Sequence, residues 1–171
     1  KDEVKNLVND LYNTGNIARN IILNAGQGSS NKKSIEDRKQ ELIQQNLYTA
    51  VNFVEELKAI PEMLKIIESL TFINSICALE NFKCSEEYEQ SKFEMLKYSR
   101  ALAEDFVEYR IRVNSILPGN IMHQDSVWRK KFKNEIEEKN FLKKTMPRGD
   151  WIYPEDIFNS INYLIENKNV V

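Results

Sequence analysis

The chain has 171 residues, 42% of them hydrophobic and 29% charged, with 24 Lys and Arg against 26 Asp and Glu. This suits one globular domain with a sizeable core, and without a basic surplus it argues against a nucleic-acid binder. Five Gly and four Pro exclude collagen-like and low-complexity chains, no apolar run approaches the roughly 18–20 residues of a membrane span, and Lys1-Asp2-Glu3 does not open a secretion signal. No membrane and no nucleic-acid partner is therefore expected, and the protein is expected to be cytoplasmic.

Helical and strand patterns alternate along the chain. A first helix is predicted over Lys1–Asn13, with Val4, Leu7, Val8 and Leu11 on one face and Gly15 as its stop. Ile17–Leu23 reads as a buried strand, and Gln27–Lys33 as a loop. Ser34-Ile35-Glu36-Asp37 resembles a capping box. It opens one long helix to Ala59, striped by Leu42, Ile43, Leu47, Ala50, Val51, Val54 and Leu57. Pro61 starts a new helical turn.

Leu70–Ile76 is a second apolar strand, followed by a loop to Cys84. A third helix covers Ser85–Tyr109, with Met95, Leu96, Leu102, Ala103 and Phe106 facing inward. Ile111–Leu117 is a third strand, closed by Pro118-Gly119. Asn120–Arg148 is long, charged and partly helical. Pro154-Glu155-Asp156 opens a last helix, with proline in its first turn and acids near its positive end. Apolar strands with helices between them predict a parallel α/β sheet covered on both faces.

Cys77 and Cys84 are seven residues apart, and His123 is the only histidine. No zinc site of the Cys/His type follows from them, so no metal is expected, and two reduced thiols are.

The chemistry centres on Tyr88 and Lys92, four residues apart and on one helix face. A nearby ammonium stabilises a phenolate and lowers its pKa, and such a tyrosine can exchange a proton with a carbonyl or alcohol oxygen. Spacing alone does not separate this from a solvated helix face. Ser75 stands thirteen residues before Tyr88, at the C-terminal end of a buried strand, where parallel sheets bind ligands. Asn46 lies inside a helix, where Asn is a poor helix former.

Seven strings carry a resemblance. They are Leu23-Asn24-Ala25-Gly26, Gln45-Asn46-Leu47, Ile73-Asn74-Ser75-Ile76, Tyr88-Glu89-Gln90-Ser91-Lys92, Ile111-Arg112-Val113-Asn114-Ser115-Ile116, Leu117-Pro118-Gly119-Asn120-Ile121 and Pro154-Glu155-Asp156-Ile157. In order and spacing the sequence resembles the short-chain dehydrogenase/reductase family, in its compact oxidoreductase branch of 3-oxoacyl-carrier-protein reductase-like members. The resemblance implies a Rossmann-type doubly wound parallel sheet and an NAD(P)-dependent oxidoreductase interconverting a ketone and a secondary alcohol.

The resemblance also implies roles. Tyr88 would be the general acid/base, and Lys92 would lower its pKa and hold the nicotinamide ribose. Ser75 would orient the substrate carbonyl. Asn46 would kink its helix and anchor a water of the proton relay. Asn24, Ala25 and Gly26 would border the cofactor, NAD or NADP, while Pro118, Gly119 and Ile121 would pass close to the nicotinamide. Partner helices would pair subunits into a homodimer or homotetramer, with Phe53, Phe93 and Leu96 available to face a second copy.

Departures from the family pattern are Leu23 for a first Asn, Asn74 for a second Ser, Ala78 for Gly, and Asp150 for Arg. His123 stands near where the family often has Thr. Residues 120–148 are expected to form a substrate lid, with Met122 and His123 nearest the nicotinamide and Trp128 packing the lid down. The family's opening turn, Thr-Gly-x-x-x-Gly-x-Gly, does not occur. Residues 1–171 are therefore expected to be a single domain and an internal segment. This segment would be the C-terminal two-thirds of the fold, lacking the first β-α-β units and the last strand. The cofactor selector would lie in the missing part. Two other readings stay open: a catalytically silent dinucleotide-binding or regulatory protein, and a nucleotide-sugar dehydratase or epimerase.

Overall fold

The computed structural model describes residues 2–29, 31–79 and 84–170. Lys1 of the first expected helix and residues 80–83 of the expected loop lie outside the described residues. The elements are α1 (Asp2–Asn13), β1 (Asn20–Leu23), α2 (Ile35–Ile43), a π-helical turn (Gln44–Tyr48), α3 (Thr49–Lys58) and α4 (Pro61–Leu64). They continue as β2 (Ser69–Ile73), a 3-10 turn (Ile76–Ala78), α5 (Glu86–Asp105), β3 (Arg112–Ile116), a second 3-10 turn (Val127–Lys130), α6 (Glu135–Thr145) and α7 (Pro154–Glu166). Among the described residues no helix is long and apolar enough to cross a membrane.

The three strands form one parallel sheet in the order β1-β2-β3. Ile21 pairs with Leu70, which pairs in turn with Val113. Side chains alternate between the two faces of a strand. Leu70, Phe72 and Val113 therefore meet Val54, Leu57, Met95, Leu102 and Phe106 in the main core. The ring of Phe72 meets Tyr98 of α5 edge-on at 6.1 Å, and Ser115 and Ser99 share a hydrogen bond of 2.8 Å on that face. Arg112 faces the other way and donates to the Leu164 carbonyl of α7 at 2.6 Å. Helices thus lie on both faces of the sheet.

Local sequence sets several ends. Gly15 adopts φ +70, a conformation suited to glycine, and closes α1. Ser34 caps α2 by accepting the Asp37 N–H at 3.0 Å. Asp156 accepts the Tyr153 N–H at 2.8 Å at the start of α7.

Three expectations are corrected. The first strand starts at Asn20, not Ile17, since β1 begins only where β2 lies opposite it: Asn20 pairs with Ser69. The second strand stops at Ile73, because Ser75 turns its hydroxyl back to cap the following 3-10 turn. Finally, α5 stops at Asp105 rather than Tyr109, and Arg110 takes a left-handed φ of 57 that turns the chain into β3. The long helix opened by Ser34 runs without a break to Lys58, and it takes a π-helical turn around Asn46, where the resemblance implies a kink.

The central strand depends most on this packing. Phe72 is fully buried, so Phe72→Ala is expected to cost about 3–5 kcal/mol, lost from the unfolding free energy in urea titrations.

Candidate functional site

Parallel strands end on a common edge, and here that edge gathers the predicted residues. Asn24, Ala25 and Gly26 follow β1 and are exposed. Asn74 and Ser75 follow β2, and Pro118 and Gly119 follow β3. The Ile76 N–H donates to the Pro118 carbonyl at 2.9 Å, which extends contact between these two loops beyond the strands.

Tyr88 and Lys92 stand in the first turns of α5, whose N-cap Ser85 accepts the Tyr88 N–H at 3.4 Å. The Ser75 hydroxyl lies close enough to the Tyr88 phenol to lower its pKa. The Lys92 ammonium lies 5.8 Å from the centre of the Tyr88 ring. Ser75, Tyr88 and Lys92 therefore form one cluster.

Its electrostatics differ from the expectation of an acidified phenol. Burial raises the Tyr88 pKa, opposed only by the nearby Ser75 hydroxyl. Burial also pushes the Lys92 ammonium down to about 8. Both groups are moved toward their neutral forms because both have lost water.

Asn46 is fully buried in the π-helical turn. Its Oδ1 accepts the Gln27 N–H at 2.7 Å, while its Nδ2 donates to the Gln27 carbonyl at 3.1 Å and to Ser91 Oγ at 2.9 Å. Ser91 then donates to the Tyr88 carbonyl at 2.8 Å. Asn46 thus reaches Tyr88 through Ser91. Gly26 is needed for this approach, since a Cβ there would lie 2.5 Å from Asn46 Oδ1. A second brace joins α2 to the start of α5: Arg38 Nε meets Glu87 Oε1 at 2.7 Å. A backbone N–H and the Arg38 guanidinium hold the Glu87 carboxyl below its ordinary pKa.

The segment after Pro118 builds a second core. Met122, Leu142 and Trp151 are buried there with Trp128, Phe132, Phe141 and Met146 against them. Trp128 lies 5.3 Å from Phe141 and 5.6 Å from Trp151, centre to centre. The Trp151 indole N–H donates to Glu138 at 2.6 Å. Ile121 bridges to Ile152, and the Met122 N–H donates to the Ile152 carbonyl. His123 is exposed; its Nδ1 accepts the Asp125 N–H at 3.3 Å. A cavity of about 650 Å³ opens beside Pro118, between Met146, Trp151 and Asp156. Ser75, Tyr88 and Lys92 do not line it.

Sequence reasoning missed four participants. Gln27 acts through its backbone, which its side-chain type does not announce. Ser91 lies three residues after Tyr88, a helical spacing that was a usable signal. Trp151 lies outside the segment it anchors. The fourth is the cysteine pair: Cys77 and Cys84 are joined in a disulfide, correcting the expectation of two thiols. Their Cα atoms lie 6.5 Å apart, within the ordinary range for a cross-link.

A parallel sheet flanked by helices, with Ser, Tyr and Lys drawn together at its C-terminal edge, defines a Rossmann-type α/β protein. A family model described as enoyl-(acyl carrier protein) reductase matches residues 1–170, and the chain belongs to this family, within the short-chain dehydrogenases/reductases. The chain is 30% identical over 99 residues to a human 3-oxoacyl-[acyl-carrier-protein] reductase, an alignment covering 58% of this chain and 38% of that one. Among solved structures, a short-chain dehydrogenase from Leptospira borgpetersenii with bound NAD+ superposes with TM-score 0.81 at 20% identity, over 99% of this chain and 67% of that one. An oxidoreductase of the same family from Burkholderia thailandensis gives 0.79 at 18%, over 98% and 65%. The chain thus spans about two thirds of the length of these solved relatives and 38% of the curated one.

The burial of Lys92 yields a pH-dependent prediction. Its pKa is about 8 in the folded chain and 10.5 for the free side chain. Between these values the unfolded chain binds more protons, so this group's contribution to stability rises with pH. Below pH 8 its destabilising cost is complete. Lys92→Met is therefore expected to raise the ligand-free unfolding free energy by about 1–3 kcal/mol at pH 7. The gain over wild type should shrink as pH climbs from 8 toward 10.5, as paired urea titrations would show.

Proposed function

We propose that the chain carries the catalytic part of an NAD(P)-dependent oxidoreductase interconverting a ketone and a secondary alcohol, with residues 1–171 acting as one domain. The observation that supports this reading best is the Ser75–Tyr88 hydroxyl pair with the buried Lys92 ammonium against the same ring. A cluster of a phenol with a buried alcohol and a buried cation suits an oxygen-bearing substrate whose oxygen gains or loses a proton.

The residues present fit a nicotinamide dinucleotide. Lys92 is an ammonium desolvated by burial, and a ribose hydroxyl would give it an acceptor. Asn74 has a buried carboxamide with neither its oxygen nor its nitrogen partnered. Asn24, Ala25, Gly26, Pro118, Gly119 and Ile121 lie on the same sheet edge and would border the cofactor. When bound, the nicotinamide supplies or takes the hydride.

The chain's own residues do the rest. Ser75 donates a hydrogen bond to the substrate oxygen and fixes its position beside Tyr88. Tyr88, which burial keeps protonated, gives its phenolic proton to that oxygen during reduction and takes it back during oxidation. Lys92 stabilises the transient phenolate. Asn46, through Ser91, holds the backbone of Tyr88 in place. The protein is further proposed to be a cytoplasmic homodimer or homotetramer, for which Phe93, 47% exposed on α5, is an available contact.

Tyr88→Phe in the complete protein should lower turnover about 10²–10⁴-fold across ketones and alcohols, with nicotinamide binding nearly unchanged. Wild-type turnover in the folded variant would overturn the assignment. Binding without turnover in the wild type would favour a catalytically silent protein.

Residues 120–148 are proposed as the substrate lid, moving as a unit because their aromatic core ties α6 to Trp128 and Trp151. Hydrogen exchange across residues 120–148 should slow when cofactor and substrate are both bound. Unchanged protection would leave the segment a static surface element.

A further inference from the structure

The two ends of the Cys77–Cys84 disulfide lie beside the two hydroxyls that meet in the site. Cys77 is 6% exposed in the 3-10 turn that follows β2, and its backbone N–H donates to Ser75 Oγ at 3.2 Å. Cys84 is half-buried and immediately precedes Ser85, the N-cap of α5, whose Oγ accepts the Tyr88 N–H. The Ser75 hydroxyl lies near the Tyr88 phenol, close enough to lower its pKa. The path from Ser75 through Cys77, the disulfide, Cys84 and Ser85 to Tyr88 therefore closes on itself. It contains one covalent cross-link, and the proton chemistry at Tyr88 uses neither sulfur.

We propose that Cys77–Cys84 is a redox-modification site whose thiol–disulfide state sets how firmly Ser75 is held against Tyr88. The proposal rests on the reading of Ser75 and Tyr88 as the reacting pair and adds a regulator to it. Reduction requires a dithiol. Its thiolate attacks the sulfur of Cys84, the less buried partner, and forms a mixed disulfide as the Cys77–Cys84 bond breaks. The Cys77 sulfur takes that electron pair and a proton. The reductant's second thiolate then attacks its own mixed-disulfide sulfur, so that Cys84 leaves and is protonated while the reductant ends as a cyclic disulfide. Two electrons and two protons pass to the protein. A disulfide oxidant of the same class reverses the exchange.

The rest of α5 does not depend on this link. Asn46–Ser91 and Arg38–Glu87 hold the helix from α2 and the π-helical turn. A reduced Cys77 can remain packed as a small apolar side chain. Reduction is therefore expected to loosen the Ser75–Tyr88 approach without unfolding the helix.

The test uses the complete protein after air oxidation, and again after dithiothreitol. Iodoacetamide applied under denaturing conditions should label neither cysteine before reduction and both after it. Native hydrogen exchange at the Cys77 and Tyr88 amides should quicken about tenfold on reduction, with Val54 and Leu57 unchanged. A Cys77→Ala, Cys84→Ala variant should exchange like the reduced protein with or without dithiothreitol. Cys84→Ser alone, which leaves the buried Cys77 in place, should do the same and guards against misfolding of the double variant. Labelling of both cysteines without reductant, or equal exchange in the two states, overturns the proposal. Retained turnover in Tyr88→Phe would instead overturn the reading of the site, and the exchange response would be unaffected.

Discussion

A carboxamide removed from water has to find partners within the protein, because an unmade hydrogen bond on a buried polar group costs about 1–3 kcal/mol. Asn46 meets this constraint with three bonds to two different parts of the chain: the backbone of Gln27 and the hydroxyl of Ser91. The loop after β1, the π-helical turn and α5 are thereby fixed to one another by a single side chain. The other features of the site follow from this bracket. Gly26 has no room for a Cβ because Oδ1 occupies that space. Ser91 is held so that its proton reaches the Tyr88 carbonyl. The start of α5, and with it Tyr88 and Lys92, is placed relative to the sheet edge.

The bracket also accounts for the π-helical turn. A π-helical turn carries one more residue than the α-helical ladder allows and is seldom stable without tertiary compensation. Here the compensation is visible, since the fully buried Asn46 makes its side-chain bonds outside its own helix. Helix α3 resumes at Thr49 with Ala50, Val54 and Leu57 facing the core. The inserted residue changes the register between the two halves, so that Leu42 and Leu57 can both be buried while Asn46 points toward α5.

Features that rest on local patterns were legible in the sequence, whereas those that rest on distant partners were not. The apolar stripes at Leu42, Ala50, Val54 and Leu57, and at Met95, Leu102 and Phe106, identify buried faces because helical spacing survives in the sequence. The cap at Ser34 was legible from its local pattern, as were the acids at the start of α7. A distortion at Asn46 was legible only through the resemblance; the partner that holds Asn46, the backbone of Gln27 nineteen residues away, was not. Nor was the cross-link, because a spacing of seven residues does not state how far apart two Cα atoms will lie. The spacing of Tyr88 and Lys92 was read, but the sign of their electrostatics was not. Sequence places an ammonium near a phenol, but it does not show how much water each has lost.

That loss of water has a consequence for the chemistry. In the ligand-free site Tyr88 holds its proton more tightly than a free tyrosine, and Lys92 holds its own less tightly than a free lysine. At pH 7 the lysine is still mostly charged, because its pKa stays near 8. The resting pair is therefore a neutral phenol beside a cation, which is the arrangement a proton donor to a carbonyl oxygen needs. A phenolate formed there would be stabilised by an ammonium that water does not screen, so the attraction would be stronger than at the surface. Desolvation thus raises the cost of the resting cation and strengthens its interaction with the charge that appears during reaction. The burial that destabilises Lys92 in the fold is the same property that would make it effective at Tyr88.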